Sequence, residues 1–226
     1  MTPIPWSYTS LKQFVDCPRQ FHEMRVLKTV VQQDTPDLLW GKQVHSAFED
    51  RQAVRTPLPN TLKAHEPFMA KLDARPGTTF TEQKIALDKT ARAVAQFFSP
   101  HVWFRGVIDF KKIDMDTESA LIVDYKTGKP HQKFDQLALF AIHTFVAHPV
   151  NVVDVQFYWT KTQTIDRKIW ARHEVPALWA KFVPDLKQYA EAFKTNTWQP
   201  RQSGLCNGWC PVKECEFWRP GRPPRT

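Results

Sequence analysis

No stretch of this 226-residue chain approaches the roughly 18 consecutive apolar residues that a membrane-spanning helix needs, so no such helix is expected. The first residues, Met1-Thr2-Pro3-Ile4-Pro5-Trp6-Ser7, lack the charged and apolar regions of a secretory signal. The expected location is therefore intracellular, in the cytoplasm. The sequence also lacks a visible internal repeat. It has few low-complexity tracts, and with 42% hydrophobic residues extended disorder is not expected. Cysteine is scarce and unevenly placed. Cys17 stands alone, while Cys206, Cys210 and Cys215 crowd the last 21 residues. In a reducing compartment that pattern favours metal or iron–sulfur ligation over disulfides.

A single domain over residues 1–226 is expected from the length. The net charge of +8 and pI near 9.4 fit a phosphate-rich partner. Helices are predicted from Leu11 (capped by Ser7 or Thr9), from Phe21 to Leu27, from Leu38 to Ala53 and from Leu62 to Leu72. Strands follow at Thr79–Asp88, Val102–Asp114 and Ala120–Lys126. A helix is expected over Phe134–Val146, strands over Val152–Thr160 and Ile165–His173, and a long helix over Ala177–Lys194. Helices, a hairpin sheet, a helix and more strands, in that order, predict a three-layer α/β domain with a mixed sheet.

The chemistry concentrates at Asp124-Tyr125-Lys126-Thr127-Gly128-Lys129, which follows the apolar run Leu121-Ile122-Val123. Side chains alternate along a strand, so Asp124 and Lys126 point the same way. Fifteen residues upstream, Gly106-Val107-Ile108-Asp109 supplies a second carboxylate at the end of an apolar run. Asp109, Asp124 and the backbone carbonyl of Tyr125 can bind a divalent metal. Lys126 can orient water or stabilise charge on a phosphodiester.

These motifs resemble the PD-(D/E)XK nuclease superfamily, in particular its RecB-like branch of phage exonucleases and CRISPR-associated adaptation nucleases. Gly106-Val107-Ile108-Asp109 and Asp124-Tyr125-Lys126 match its second and third motifs. Gly41-Lys42-Gln43-Val44-His45 is similar to its G-x-x-x-H helix, and Gln136-Leu137-Ala138-Leu139-Phe140 to its Q-x-x-x-Y helix. Ser10 through Phe21 resembles the family's N-terminal segment. The resemblance implies a restriction-endonuclease-like core and makes His45 a metal ligand. It places Gln136 at the catalytic site with Asp109, Asp124 and Lys126, and adds Glu82 as a further acidic residue near the metal. Phe140 stands where the family has tyrosine, so a hydroxyl contact is lost. Magnesium and manganese both remain open as the ion.

The resemblance extends to the cysteines: iron–sulfur members pair one early cysteine with three late ones around a 4Fe–4S cluster. Here the late spacing is x3 then x4, against the usual x2 then x5. Zinc held by four thiolates is the rival. Either would tie N-terminal helices (about 1–56) to a Cys-rich tail (about 199–226). The implied activity is metal-dependent exonuclease cleavage of single- or double-stranded DNA ends, alongside recombination or replication proteins. A CRISPR-type nuclease trimming captured DNA and a noncatalytic DNA-binding scaffold are the alternatives.

Overall fold

The computed structural model describes residues 1–130 and 133–221. In chain order its helices and strands are α1 (Tyr8–Asp16), α2 (Pro18–Phe21), α3 (Pro36–Ala53), α4 (Glu66–Asp73), β1 (Thr78–Leu87), β2 (Phe104–Asp114), β3 (Ser119–Lys126), α5 (Asp135–Ala147), β4 (Val152–Trp159), β5 (Thr164–Ala171), α6 (Val175–Ala180) and α7 (Val183–Thr195). A π-helical turn, His22–Leu27, continues α2. Two compact units result: Asp34–Ala180, and the residues up to Gln33 together with those from Lys181 onward.

The larger unit is built on a five-stranded sheet of order β1-β2-β3-β4-β5. All neighbours are antiparallel except β3 and β4, which run parallel because α5 crosses between them. The sheet is mixed, as the element order implies. On one face Leu121, Val123 and Tyr125, alternate residues of β3, join Phe110 and Tyr158 against Val44 and Phe48 of α3 and Met69 and Leu72 of α4. The intervening residues face α5, which is buried from Leu137 to Phe145 and accordingly apolar almost all round. Helices, sheet and helix make the expected three layers.

Two helix boundaries depart from the sequence reading. The helix expected over 177–194 is broken into α6 and α7, because Pro184 in the first turn of α7 has no N–H to extend an earlier helix. Pro67 acts likewise in α4, so the expected helix over 62–72 begins as a 3-10 segment, Asn60–His65.

In the smaller unit Ser7 caps α1 through a reciprocal pair of bonds with Ser10. Phe14 and Phe21 meet Tyr189 edge-on at 5.3 and 5.4 Å between ring centres. The Tyr189 hydroxyl donates to the Ile4 carbonyl at 3.0 Å. Among the described residues no helix is long and apolar enough to cross a membrane.

Beneath α5 lies a buried basic group. Lys111 is fully enclosed, its Nζ 3.1 Å from His148 Nε2 and 4.8 Å from the Phe80 ring centre. Burial lowers Lys111 to about 8. Burial, reinforced by the positive charge of Lys111 and His148, drives His143 down to about 3. An unfolded histidine takes a proton near pH 6.5, whereas this one stays neutral, so stability falls as pH drops from 6.5 towards 3. A tenfold change in proton affinity is about 1.4 kcal/mol, so His143 alone withdraws roughly 2–3 kcal/mol by about pH 4.5. Urea unfolding at a series of pH values should therefore give a shallower acid slope for His143→Leu than for the native chain. Equal slopes would assign the acid sensitivity to other groups.

Candidate active site

The site begins where a ladder stops. Strands β2 and β3 pair from Asp114↔Ser119 up to Phe110↔Val123 and no further. At the next position the Asp109 carboxylate replaces the strand, accepting the Tyr125 N–H at 2.7 Å. Helix α3 closes over this fork with Gly41 beside Thr127, where an added Cβ would make an ordinary 3.4 Å contact with Thr127 Oγ1. One turn on, His45 Nδ1 reaches 3.4 Å from the Asp109 carboxylate. From the other side comes Glu82 of β1. Its neighbours pair as Thr81↔Phe110 and Gln83↔Ile108, but Glu82 drops out of the ladder and takes a φ of 44°. A left-handed backbone at a non-glycine strand residue is strained, and such strain collects at functional sites. Ligand atoms of His45, Glu82 and Asp109 all lie within 4.8 Å of one another.

Beside this group Asp124 and Lys126 share a face, as alternation requires, with Nζ and Oδ2 2.6 Å apart. Gln136, in the first turn of α5, clamps both: its amide donates to Asp124 at 2.8 Å and its oxygen accepts from Lys126 at 3.0 Å. Gln136 is therefore not a solvent-facing residue of its helix. Tyr125 lies between the two, its ring in the core 4.9 Å from that of Phe48. Phe140 is buried, its ring against Gly106, where an added Cβ would meet it at 2.8 Å. The sequence reading missed Phe157, whose ring centre is 5.3 Å from the Lys126 ammonium. An apolar β4 residue gives no chemical signal until parallel pairing sets it opposite Asp124.

The local field is negative. Burial raises the Asp124 carboxyl; Lys126 opposes that shift and Asp109 adds to it. Burial, then the charge of Asp109, carries Glu82 up to about 7, with His45 pulling the other way. Burial alone would lower His45, but its bond to Asp109 and the charges of Asp109, Asp124 and Glu82 hold it above its ordinary value. Acids that hold protons near neutrality, around a preformed imidazole–carboxylate group, could hold a cation. The group opens onto a cleft of about 580 Å³ rimmed by Leu38, Lys42, Glu49 and Thr127.

The cysteines belong to the smaller unit, where all four are free and line one pocket with Gln20 and Trp218. Cys17 sits between α1 and α2, just before Pro18. Its sulfur accepts the Arg201 N–H at 3.5 Å, and the Cys210 sulfur accepts from Gln20 Nε2 at 3.5 Å. Burial raises the Cys210 thiol, with nearby Cys17 and Cys206 adding to the shift.

The Glu82 carboxylate costs the metal-free fold stability above about pH 7, and this cost fades as pH falls towards 4.5, where folded and unfolded forms are both protonated. Glu82→Gln should therefore raise the metal-free melting temperature at pH 8 and lose most of the native chain's stabilisation by manganese. A variant that melts lower without metal, yet gains as much from manganese, would remove Glu82 from the ligand group.

The sequence model of the PD-(D/E)XK nuclease superfamily matches residues 5–215. Among solved structures, a "Putative exonuclease" from Eubacterium rectale is 12% identical with a TM-score of 0.53, over 98% of this chain and 91% of its own. The protein SSO0001 is 14% identical with a TM-score of 0.48, over 97% and 90%. Comparison with curated proteins gives no match.

Proposed function

Since the chain belongs to the PD-(D/E)XK nuclease superfamily, a family of phosphodiester-cleaving enzymes, we propose that it is a metal-dependent exonuclease of the RecB-like branch acting at DNA ends. The observation that carries this reading is the imidazole and two carboxylates converging beside the Asp124–Lys126–Gln136 group. The exonuclease part draws on the branch's motif order and agrees with the name borne by the E. rectale protein.

His45, Glu82 and Asp109 would hold the divalent ion, with Asp124 the next acid, and this mixed donor set suits manganese as well as magnesium. When bound, such an ion supplies positive charge to a phosphoryl oxygen and acidifies water. Lys126 would meet the scissile phosphate, orienting the attacking water or balancing charge as it develops. Asp124 and Gln136 fix the ammonium for that task, and the Phe157 ring shields one side of it. Gln136 is thus a positioning residue in this scheme.

End-labelled linear DNA with manganese or magnesium provides the test. Asp124→Ala and Lys126→Ala should each lower the cleavage rate about a hundredfold or more, and closed circular DNA should be spared. Undiminished cleavage by both variants would remove them from the chemistry. Nicked circles would replace the exonuclease reading with an endonuclease.

The four thiols, which line one pocket, would hold a 4Fe–4S cluster tying the segment around Cys17 to the Cys-rich segment. This reading is drawn from the iron–sulfur members' pairing of one early cysteine with three late ones. Zinc held by four thiolates is the rival. Anaerobically purified protein should be brown, with about four irons per chain. Cys17→Ser should lose both iron and thermal stability. Colourless protein carrying one zinc would overturn the assignment.

A further inference from the structure

Strands β1 and β2 continue beyond the catalytic fork as a two-stranded arm. Its register pairs Lys84 with Val107 and Ala86 with Arg105, one and two rungs beyond the Glu82–Asp109 level. Cross-strand partners share a face, and residues two apart along a strand share it too. Glu82, Lys84, Asp109, Val107 and Arg105 therefore lie on one side of the arm. The alternate residues Ile85, Leu87 and Ile108 are buried on the other. Rungs two residues apart are spaced about 6.6 Å, so Arg105 stands roughly 13 Å along the strand from the Asp109 carboxylate.

At that point the arm carries an aromatic platform. The loop joining β1 to β2 brings Phe97 and Phe98 over the Arg105 guanidinium, 5.4 and 5.1 Å from the two ring centres. The rings themselves meet edge-on at 5.0 Å. Phe98 is nevertheless 75% exposed, and the Arg105 Nε–H is buried without a hydrogen-bond acceptor. The loop is held in place: Asp88 accepts the N–H groups of Thr90 and Arg92, Val94 donates to the Ala86 carbonyl, and Trp103 donates to that of Leu87. Between Gln83 and Gly106 the chain carries Lys84, Lys89, Arg92 and Arg105 against the single carboxylate of Asp88.

An exposed ring backed by a guanidinium, in a cationic setting on the same face as the metal group, matches an unpaired nucleobase flanked by phosphates. We propose that Phe98, stacked on Arg105, is a base-stacking subsite that holds the substrate strand in single-stranded form beyond the scissile bond. This rests on the nuclease reading and makes the substrate class DNA with an unpaired end. Lys84 lies between the two stations, placed to meet the intervening phosphate. At 3.4 Å per stacked nucleotide, or more when the strand is extended, 13 Å separates the subsite from the cut by roughly two to four nucleotides.

Fluorescence anisotropy in EDTA, with the full chain and no turnover, tests this directly. Phe98→Ala should bind a single-stranded oligonucleotide about tenfold more weakly than the native chain, with blunt duplex affinity unchanged and Phe98→Tyr close to native. One abasic nucleotide two to four positions from the bound end should weaken the native chain but not Phe98→Ala further. If Phe98→Ala keeps native affinity for single strands, or loses single strand and duplex equally, the subsite is refuted. Cleavage by the native chain separates the two failures: DNA still cut leaves the nuclease reading standing, whereas a native chain that neither binds nor cuts DNA removes both.

Discussion

One hydrogen bond governs the geometry of this molecule's active region: the Asp109 carboxylate accepting the Tyr125 N–H. Had the antiparallel ladder continued, that N–H would face a backbone carbonyl and the strands would stay closed. A side-chain acceptor satisfies the buried donor while ending the pairing, so the sheet opens without leaving an orphaned group. The opening admits His45 from α3 on one side. It also leaves Asp124 and Lys126 clear of β2, to be met by Gln136 from α5. Fold and proposed chemistry share this point, because the acid that ends the ladder also belongs to the group that could hold a metal ion.

The electrostatics of the fork contrast with another buried acid in the same sheet. Asp154 on β4 is paired by Arg167 at 2.9 Å and approached by Arg75 at 3.8 Å. Among the described residues no guanidinium forms an ion pair with Glu82 or Asp109. Lys126 is bound to Asp124, and His45 reaches 3.4 Å from Asp109. A chain that neutralises Asp154 with arginine has the means to neutralise these carboxylates as well. Acids without a fixed counter-cation among the described residues are what a ligand site would present, in contrast to the structural ion pair at Asp154.

Much of this was legible in the sequence where local rules suffice. The alternation that puts Asp124 and Lys126 on one face needs only a strand, and the Gly41–His45 spacing needs only a helix turn. The three-layer order of elements could likewise be read from periodicity. What was hidden depends on tertiary placement. Glu82 reaches the site in the sequence reading through the resemblance alone, and its convergence with His45 arises from one left-handed residue and the register with β2. Gln136 was assigned to the site by the same resemblance, but its two partners emerge only when the α5 crossover lowers it onto both. The apolar rhythm from Leu178 to Phe193 suggested one helix, because hydrophobic period outweighed the missing N–H of Pro184. Phe97 and Phe98 carry no signal in the sequence, and their cluster exists only because the loop folds back onto Arg105.

The smaller unit joins residues near Cys17 to residues beyond Lys181 with a complete α/β unit between them in the chain. Its contacts, such as Phe14 on Tyr189, span more than 170 positions, so forming them carries a large loop-closure entropy. The aromatic cluster of Phe14, Phe21, Tyr189 and Phe193, like the pocket that the four cysteines line, is therefore an assembly of distant residues that no local preference brings together.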